Sequence, residues 1–301
     1  MQKTLISIIG STGIGKTKLA IEMAKHFGTE IISCDSRQFF KEMKIGTATP
    51  TDEELAQAKH HFIGHLSVQE YYSIGQYEED ALEKIEEIFE KNDFAVLVGG
   101  SMMYEKAVVE GLNDLPEANA ENQEKLQKIL DEEGLEKLQE ILKNLDEEYY
   151  NVVHKENPRR LLRAIDVIWQ TGRKYSEIIA EPKHKRDFKV VRIGITAPRE
   201  IMYERINLRV DKMLEKGLID EVKSLTKYQN LVPLQTVGYT EIFKYLEGTW
   251  DLDFAVEEIK KNSRRYAKRQ ETWNRKVENV TWLPYDYSEE QLHEILSKIE
   301  K

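Results

Sequence analysis

The sequence predicts an α/β protein in which a parallel sheet, flanked by helices, is interrupted by an all-helical insertion. Apolar runs at residues 4–9, 30–34, 94–98 and 190–196 have the composition of buried strands and alternate with amphipathic helical segments. The first run leads directly into the pattern G-x-x-x-x-G-K-T, which joins a strand to a helix in P-loop NTPase-like folds. Beyond Gly111 the chain becomes rich in Glu, Lys and Leu with helical periodicity, which indicates an excursion from one α/β domain.

These patterns divide the chain into three parts. Residues 1–111 are expected to form the first part of the P-loop core, residues 112–180 the helical insertion domain, and residues 181–301 the second part of the core. Residues 49–75 show no regular period and predict a loop with short helical turns. In the last part we expect one more strand and five helices, over residues 280–283, 199–215, 218–228, 239–246, 254–275 and 289–299.

The G-x-x-x-x-G-K-T segment predicts a phosphate-binding loop. Its glycines let successive backbone N–H groups turn inward around phosphate oxygens without interference from a Cβ atom. The following helix, expected to begin at Lys16, directs the positive end of its dipole at the same place. Lys16 would reach the outer phosphates, and Thr17 would ligate Mg²⁺. The predicted phosphate-binding residues are Gly10, Ser11, Thr12, Gly13, Ile14, Gly15, Lys16 and Thr17.

Composition and charge limit the class of protein. A chain of 301 residues, 40% of them hydrophobic, is long enough to bury a large core. Because no apolar run approaches the length of a membrane span and no signal-peptide pattern is present, we expect a cytoplasmic protein without membrane contact. The single cysteine, Cys34, lies in an apolar run and is expected to be buried. The formal net charge of −10 opposes nucleic-acid binding unless basic residues are concentrated locally.

Asp35 follows the second predicted strand and is the main candidate for acid–base chemistry. The carboxyl ends of parallel strands face the ligand crevice, so Asp35 is expected near the phosphate-binding loop. Three roles are open: the magnesium carboxylate of a nucleotide hydrolase or kinase, a proton acceptor for a nucleophile placed over the phosphates, or a cap for the following turn. The next predicted strand ends in Gly99-Gly100-Ser101, without a carboxylate.

Basic residues are concentrated in segment 260–276, which carries eight of them against one acidic residue. Arg264 and Lys268 are one turn apart on one side of the predicted helix, and Tyr266 and Trp273 offer surfaces for stacking or packing. Such a local excess on an acidic protein favours a polyanionic partner over a simple solvated helix face.

Two smaller groups of residues are less informative. Arg159, Arg160 and Arg163 have a spacing that fits phosphate contacts, and ion pairs with the acidic insertion are an alternative only slightly less favoured. His60 and His61 are adjacent and would point to different faces, and no cysteine or carboxylate cluster completes a ligand set, so no metal site is expected there.

Taken together, the motifs resemble those of the tRNA dimethylallyltransferase family, also called tRNA isopentenyltransferases, in its bacterial form. The similarity covers nearly the whole chain, and motifs in a fixed order are far more specific than a phosphate-binding loop alone. Beyond that loop it is carried by Asp35-Ser36-Arg37-Gln38, Ile45-Gly46-Thr47-Ala48, His60-His61, Val98-Gly99-Gly100-Ser101, Pro158-Arg159-Arg160 continuing to Arg163, Thr171-Gly172-Arg173, the run from Arg205-Ile206-Asn207 to Gly217-Leu218, Val237-Gly238-Tyr239, and Arg264-Arg265-Tyr266-Ala267-Lys268-Arg269-Gln270 with Thr272-Trp273.

The resemblance implies that the loop holds the diphosphate of dimethylallyl diphosphate, with Mg²⁺, and that the acceptor is N6 of the adenosine 3′-adjacent to the tRNA anticodon (position 37). It also implies that Asp35 is the general base, that Ser101 lies beside the amine, and that Arg209 helps to hold the leaving group. The protein would act as a monomer on the anticodon stem-loop. The implied tRNA-binding residues are Asp35, Ser36, Arg37, Gln38, Ser101, Gln123, Arg159, Arg160, Arg163, Val237, Gly238, Tyr239, Arg264, Lys268 and Arg269.

The chain departs from the family pattern at a few positions, and other functions share part of the signal. Met102-Met103 replaces a common Gly-Leu, and Thr49, Gln123 and Thr240 stand where basic residues are usual.

The nearest alternative function is that of an isopentenyltransferase acting on free adenine nucleotides. Such a small acceptor would not require the helical insertion. A P-loop kinase would show phosphoryl transfer from ATP, and a non-catalytic RNA-binding module would not need Lys16, Thr17 and Asp35.

Overall fold

The computed structural model describes residues 2–300, which fold as two compact units. The insertion unit comprises residues 110–185, and the core unit comprises the chain before and after it. The core unit is built around one six-stranded parallel sheet with the strand order β3-β2-β4-β1-β5-β6. Its strands are β1 (Thr4–Gly10), β2 (Ile31–Ser33), β3 (His60–His61), β4 (Phe94–Val98), β5 (Lys189–Thr196) and β6 (Val280–Pro284).

Strand β1 lies at the centre of the sheet, and all seven of its residues are buried. It pairs with β4 on one side and with β5 on the other, in registers that place Ile6 beside Val96 and Val191. Apolar residues project from both faces of the strand because helices cover both faces of the sheet, as is usual in parallel α/β folds.

Nine helices of the core unit flank or extend the sheet within the described chain. They are α1 (Lys16–Phe27), α2 (Asp52–Leu55), α3 (Ile74–Phe89), α4 (Met102–Glu110), α10 (Arg199–Glu215), α11 (Leu218–Ser224), α12 (Tyr239–Leu246), α13 (Leu252–Asn274) and α14 (Glu289–Ile299). Among residues 2–300, no helix combines the length and the apolar character needed to cross a lipid bilayer.

The insertion unit is entirely helical and has its own apolar core. Its helices are α5 (Ala120–Glu133), α6 (Leu135–Leu145), α7 (Glu147–Val152), α8 (Pro158–Thr171) and α9 (Tyr175–Ala180). Leu126, Leu138, Leu142 and Leu161 are fully buried within it. Pro158 occupies the first helical position of α8, where its missing N–H costs nothing.

Most predicted elements of the core are confirmed, and two differ. The helices α10 and α14 have the predicted bounds, but the helix expected over residues 218–228 ends at Ser224 and is followed by a separate 3₁₀ turn, Thr226–Tyr228. The segment 49–75 was expected to be loop with short helical turns, yet it also contributes strand β3 at the sheet edge. Two residues are too few to show a strand period, so this strand left no sequence pattern.

Candidate active site

The phosphate-binding loop runs from β1 to α1 and has the predicted geometry. Gly13 and Gly15 have φ angles of 75° and 113°, a region that side chains with a Cβ rarely occupy. A Cβ atom on Gly10 would lie only 2.9 Å from the carbonyl oxygen of Ile195, so this position also requires glycine. Helix α1 begins at Lys16 as predicted, and Lys16 Nζ donates a hydrogen bond to the Ser11 carbonyl oxygen at 2.8 Å.

Two cationic side chains at the loop are held in a poorly solvated environment. Burial lowers the pKa of Lys16 to about 8, and the nearby charge of Asp35 opposes that shift. Burial also lowers the pKa of Arg209, again against the effect of Asp35. Two such cations beside one carboxylate favour an anionic ligand. The arrangement is therefore suited to an anion such as a phosphate group.

Asp35 lies where two cavities of the core unit share their lining. The larger cavity, of about 340 Å³, is formed mainly by the phosphate-binding loop and includes Lys16 and Thr17. The second, of about 230 Å³, has apolar side chains such as Val210 and Ile259 on one side. The residues common to both linings are Thr12, Asp35, Gly100 and Arg209. A ligand on the loop and a second ligand in the other cavity would thus meet at Asp35.

The ends of strands β2 and β4 are tied together beside Asp35. The Ser101 hydroxyl accepts a hydrogen bond from the Ser36 backbone N–H at 2.9 Å and lies 2.8 Å from the Ser36 hydroxyl. Asp35 Oδ1 accepts from the Arg37 backbone N–H at 3.2 Å, so it also caps the following turn. The sequence-predicted Asp35, Ser36, Arg37 and Ser101 are therefore brought together around the second cavity.

Loop 45–48 closes one side of the site and supports two predicted residues. The Thr47 carbonyl oxygen accepts hydrogen bonds from Gln38 Nε2 at 3.3 Å and from Arg209 Nη2 at 3.0 Å. Gln38 Nε2 also lies 3.3 Å from the Ala48 carbonyl oxygen. The same short backbone segment therefore orients the side chains of both Gln38 and Arg209.

Glu221, on helix α11, holds this loop in place, although no local pattern marks it in the sequence. Its two carboxylate oxygens accept from the backbone N–H groups of Ile45 at 2.7 Å and Gly46 at 2.9 Å. The Tyr239 hydroxyl donates to the same carboxylate at 2.6 Å. One side chain therefore fixes the loop that orients Gln38 and Arg209.

Replacing Glu221 with Ala should destabilise the fold by about 1–3 kcal/mol, because two backbone N–H groups and a buried hydroxyl lose their acceptor. Urea unfolding followed by circular dichroism measures this change. Glu215→Ala, at the exposed end of α10, provides a control that should change stability by less than about 0.5 kcal/mol. Equal midpoints for the two variants would contradict the supporting role of Glu221.

The motif Val237-Gly238-Tyr239 is placed at the second cavity, but its tyrosine does not face solvent. Val237 and Gly238 line that cavity. Tyr239 is fully buried, and its ring packs against Gly46 so closely that a Cβ there would overlap it. The implied tRNA contact by the Tyr239 side chain is therefore corrected: in this structure the side chain supports loop 45–48 from within the core.

The basic residues of helix α13 differ in their exposure to solvent. Arg264 is partly buried, and its Nη1 donates to Asn207 Oδ1 on α10 at 2.7 Å. Lys268 and Arg269 are exposed. They belong to a shallow basic groove whose lining residues are Arg265, Lys268, Arg269, Thr272, Trp273 and Lys276. Arg264 thus serves a contact between helices, and the groove carries the charge that faces solvent.

The implied RNA-binding residues of the insertion unit also differ in their surroundings. Arg159 and Arg160 are exposed at the start of α8, and Gln123 is half-buried on α5. Arg163 pairs with the fully buried Asp166 at 3.2 Å and donates to the Pro116 carbonyl oxygen. The sequence left two roles open for these arginines, phosphate contact and ion pairing. In the structure, Arg163 forms an ion pair.

Oxygen donors suited to the predicted Mg²⁺ ion surround the phosphate-binding loop. Thr17 is half-buried in the first turn of α1 and lines the larger cavity together with Asp35, which gives hard oxygen donors of the kind that Mg²⁺ prefers. Within residues 2–300, no group of three or more His, Cys, Asp and Glu side chains could hold a metal by itself. These two oxygen donors would be compatible with Mg²⁺ only if a phosphate ligand completed its coordination.

A parallel sheet, a glycine-rich loop at the carboxyl end of its central strand and a helix beginning at the loop lysine define a P-loop protein. Residues 38–277 match the family described as IPP transferase. The chain belongs to this IPP transferase family.

Individual relatives agree with this assignment. The chain is 49% identical over 300 residues to the tRNA dimethylallyltransferase of Christiangramia forsetii, covering 99% of each chain. It is similar to the crystal structure of the tRNA isopentenylpyrophosphate transferase of Bacillus halodurans, with a TM-score of 0.73, 36% identity and coverage of 99% and 96%. A eukaryotic dimethylallyltransferase described as acting on tRNA has a TM-score of 0.86 at 26% identity, covering 98% of this chain and 79% of that one.

Proposed function

We propose that the protein transfers the dimethylallyl group of dimethylallyl diphosphate to N6 of the adenosine at position 37 of tRNA, 3′-adjacent to the anticodon, and releases diphosphate. The observation that carries this proposal is the position of Asp35 between the anion-binding cavity and the second cavity. Relatives of the protein are named tRNA dimethylallyltransferases, and these names support the proposed choice of substrates. The family match, to IPP transferase, favours prenyl transfer over phosphoryl transfer by a kinase.

The reaction requires one bond to break and one to form at the prenyl carbon. The C1–O bond to the diphosphate breaks with its electron pair on oxygen, the N6 lone pair forms the new N–C1 bond, and Asp35 accepts the N6 proton. An exocyclic adenine amine is a weak nucleophile inside a base stack, so the base must leave the stack and enter a pocket. The second cavity, with Ser36 and Ser101 beside Asp35, is proposed to receive it, and Gln38 to contact the adenine or its neighbour.

The diphosphate is proposed to lie on residues Gly10 to Thr17, where loop N–H groups and Lys16 meet the negative charge that develops on the leaving group. Arg209 adds a second cation close to Asp35. Thr17 would hold Mg²⁺, which supplies further neutralisation of the diphosphate when bound.

The tRNA is proposed to bind through local basic surfaces, since the protein as a whole carries a net charge of −10. The basic groove of α13 is the best candidate in the core unit, because it combines exposed cations with Trp273. Arg159 and Arg160 offer a second exposed pair in the insertion unit. A tRNA substrate fits a cytoplasmic enzyme, and we propose that it acts as a monomer.

The proposed function is tested by incubating the full chain with labelled dimethylallyl diphosphate, Mg²⁺ and unmodified bulk tRNA, followed by nucleoside analysis. The expected product is N6-dimethylallyladenosine at position 37. A parallel reaction offers AMP, ADP and ATP as acceptors. Label in the free nucleotides and none in tRNA would contradict the proposal and favour the alternative that acts on free adenine nucleotides.

Reversing the charge of Lys268 and Arg269 to Glu should weaken binding of the anticodon stem-loop by tenfold or more at low salt. The slope of log K against log salt should also become shallower by roughly one unit for every phosphate that the variant no longer neutralises. Fluorescence anisotropy over a range of salt concentrations measures both quantities. Lys25→Glu together with Lys298→Glu, two exposed reversals on α1 and α14, changes the net charge by the same amount and should change neither quantity. If the double reversal behaves like this control, the RNA-binding surface lies elsewhere, and Arg159 and Arg160 are the next candidates.

A further inference from the structure

Gln270, on helix α13, connects two loops of the active site that are far apart in the sequence. Its side chain is fully buried. Gln270 Oε1 accepts a hydrogen bond from the backbone N–H of Thr12 at 2.8 Å, and its Nε2 donates to the carbonyl oxygen of Gly100 at 2.8 Å. One amide group therefore bridges the phosphate-binding loop and the loop that precedes Ser101.

The two bridged positions both line the two cavities that share Asp35. Thr12 belongs to the loop that would hold the diphosphate, and Gly100 is in contact with Asp35. A Cβ atom on Gly100 would lie 2.9 Å from Asp35 Oδ2 and 3.3 Å from Gln270 Nε2. Gly100 thus packs between the proposed base and Gln270, where a side chain would collide with Asp35.

Helix α13 makes a second contact with the same carbonyl group. The Tyr266 hydroxyl, one turn before Gln270, also donates to the Gly100 oxygen, at 3.0 Å. The Gly100 carbonyl group therefore has two donors from α13, whereas the Thr12 N–H has Gln270 as its acceptor. Because of this difference, loss of the Tyr266 donor leaves the Thr12 contact intact, whereas loss of the Gln270 amide removes it.

We propose that Gln270 is a positioning residue that holds the phosphate-binding loop at a fixed distance from Asp35 and Ser101. Glutamine suits this position because its amide offers one acceptor and one donor at the end of the same side chain. The acceptor satisfies the Thr12 N–H, and the loop is thereby kept in one conformation for the diphosphate. This inference rests on the proposed function for the identity of the substrate.

The test compares binding of inorganic diphosphate, in the presence of Mg²⁺, to the wild-type chain and to Gln270→Met and Tyr266→Phe by calorimetry. Methionine preserves the length and packing of the side chain but makes neither hydrogen bond. We expect Gln270→Met to weaken diphosphate binding roughly tenfold, because the loop loses its anchor. Tyr266→Phe leaves the Thr12 contact intact and should change the affinity by less than about twofold. Unchanged or tighter binding by a folded Gln270→Met variant would overturn the proposal.

A second variant covers the case in which Gln270→Met does not fold. Gln270→Asn keeps a neutral amide but is one methylene shorter, so it cannot reach the Thr12 N–H and the Gly100 carbonyl oxygen together. We expect weaker diphosphate binding here also, and wild-type affinity would refute the proposed role. Kinetics with tRNA provide a further readout. Gln270→Met should raise KM for dimethylallyl diphosphate and lower kcat, with an unchanged Kd for tRNA.

Failure of this inference can be distinguished from failure of the proposed function. Inorganic diphosphate binding requires no acceptor and no prenyl chemistry, so it reports on Gln270 even if the wild-type protein modifies no tRNA. A wild-type chain that modifies tRNA, together with a Gln270→Met variant of normal KM and kcat, would leave the function standing and remove the role of Gln270.

Discussion

Substitution of Asp35 by Asn is expected to reduce the rate of tRNA prenylation by about 10²–10⁴-fold, because the amide cannot accept the proton that leaves N6. The substitution keeps the shape of the side chain, and the oxygen that accepts from the Arg37 N–H can be retained. Binding of tRNA should therefore change little, whereas the affinity for dimethylallyl diphosphate is expected to shift, because the substitution removes a negative charge beside Lys16 and Arg209. Single-turnover rates at saturating concentrations of both substrates measure the chemical step directly.

The matched control is Asp52→Asn, which changes an exposed aspartate in the first turn of α2. It should prenylate tRNA at close to the wild-type rate. If Asp35→Asn retains a normal single-turnover rate, Asp35 is not the base, and the turn-capping role that the sequence left open becomes its main function.

Lys16→Ala is expected to lower kcat/KM for dimethylallyl diphosphate by about 10²–10³-fold, the usual effect of removing one donor to a developing negative charge. Burial lowers the pKa of Lys16 to about 8 in the absence of a ligand, and a diphosphate in the cavity would favour its charged form. The affinity for tRNA should be unchanged, because the lysine lies in the larger cavity, which is formed mainly by the phosphate-binding loop.

Steady-state kinetics with each substrate varied in turn separate these two effects. Lys25→Ala, an exposed change in the last turn of the same helix, tests for a general loss of stability of α1. A parallel loss of tRNA affinity in Lys16→Ala would contradict the assignment of this lysine to the diphosphate alone.

The sequence was sufficient for the phosphate-binding loop and for the placement of Asp35, because both depend on local rules. A glycine-rich pattern between an apolar strand and an amphipathic helix has few structural solutions, and residues at the carboxyl ends of parallel strands meet at one edge. The same local rules located α10 and α14 at the predicted bounds, since each has a clear helical period.

The supporting contacts could not be predicted because they join distant parts of the chain. Glu221 accepts from N–H groups 176 and 175 positions away, and Gln270 bridges Thr12 and Gly100 across 258 and 170 positions. Neither side chain belongs to a periodic pattern. Likewise, the sequence placed Arg264 on a basic helix but could not indicate that Asn207 of a neighbouring helix would engage it.

The central position of β1 has a consequence for how the chain reaches its folded state during synthesis. This strand is made first, yet its partner β4 follows only at Phe94–Val98, and its other partner β5 is complete only at Thr196. Until β4 is made, both edges of this predominantly apolar strand lack a neighbour, and one edge stays unpaired until β5 follows. Unpaired apolar edges are sites of intermolecular association. The nascent chain is therefore expected to stay prone to aggregation until the ribosome has passed the insertion unit and made β5.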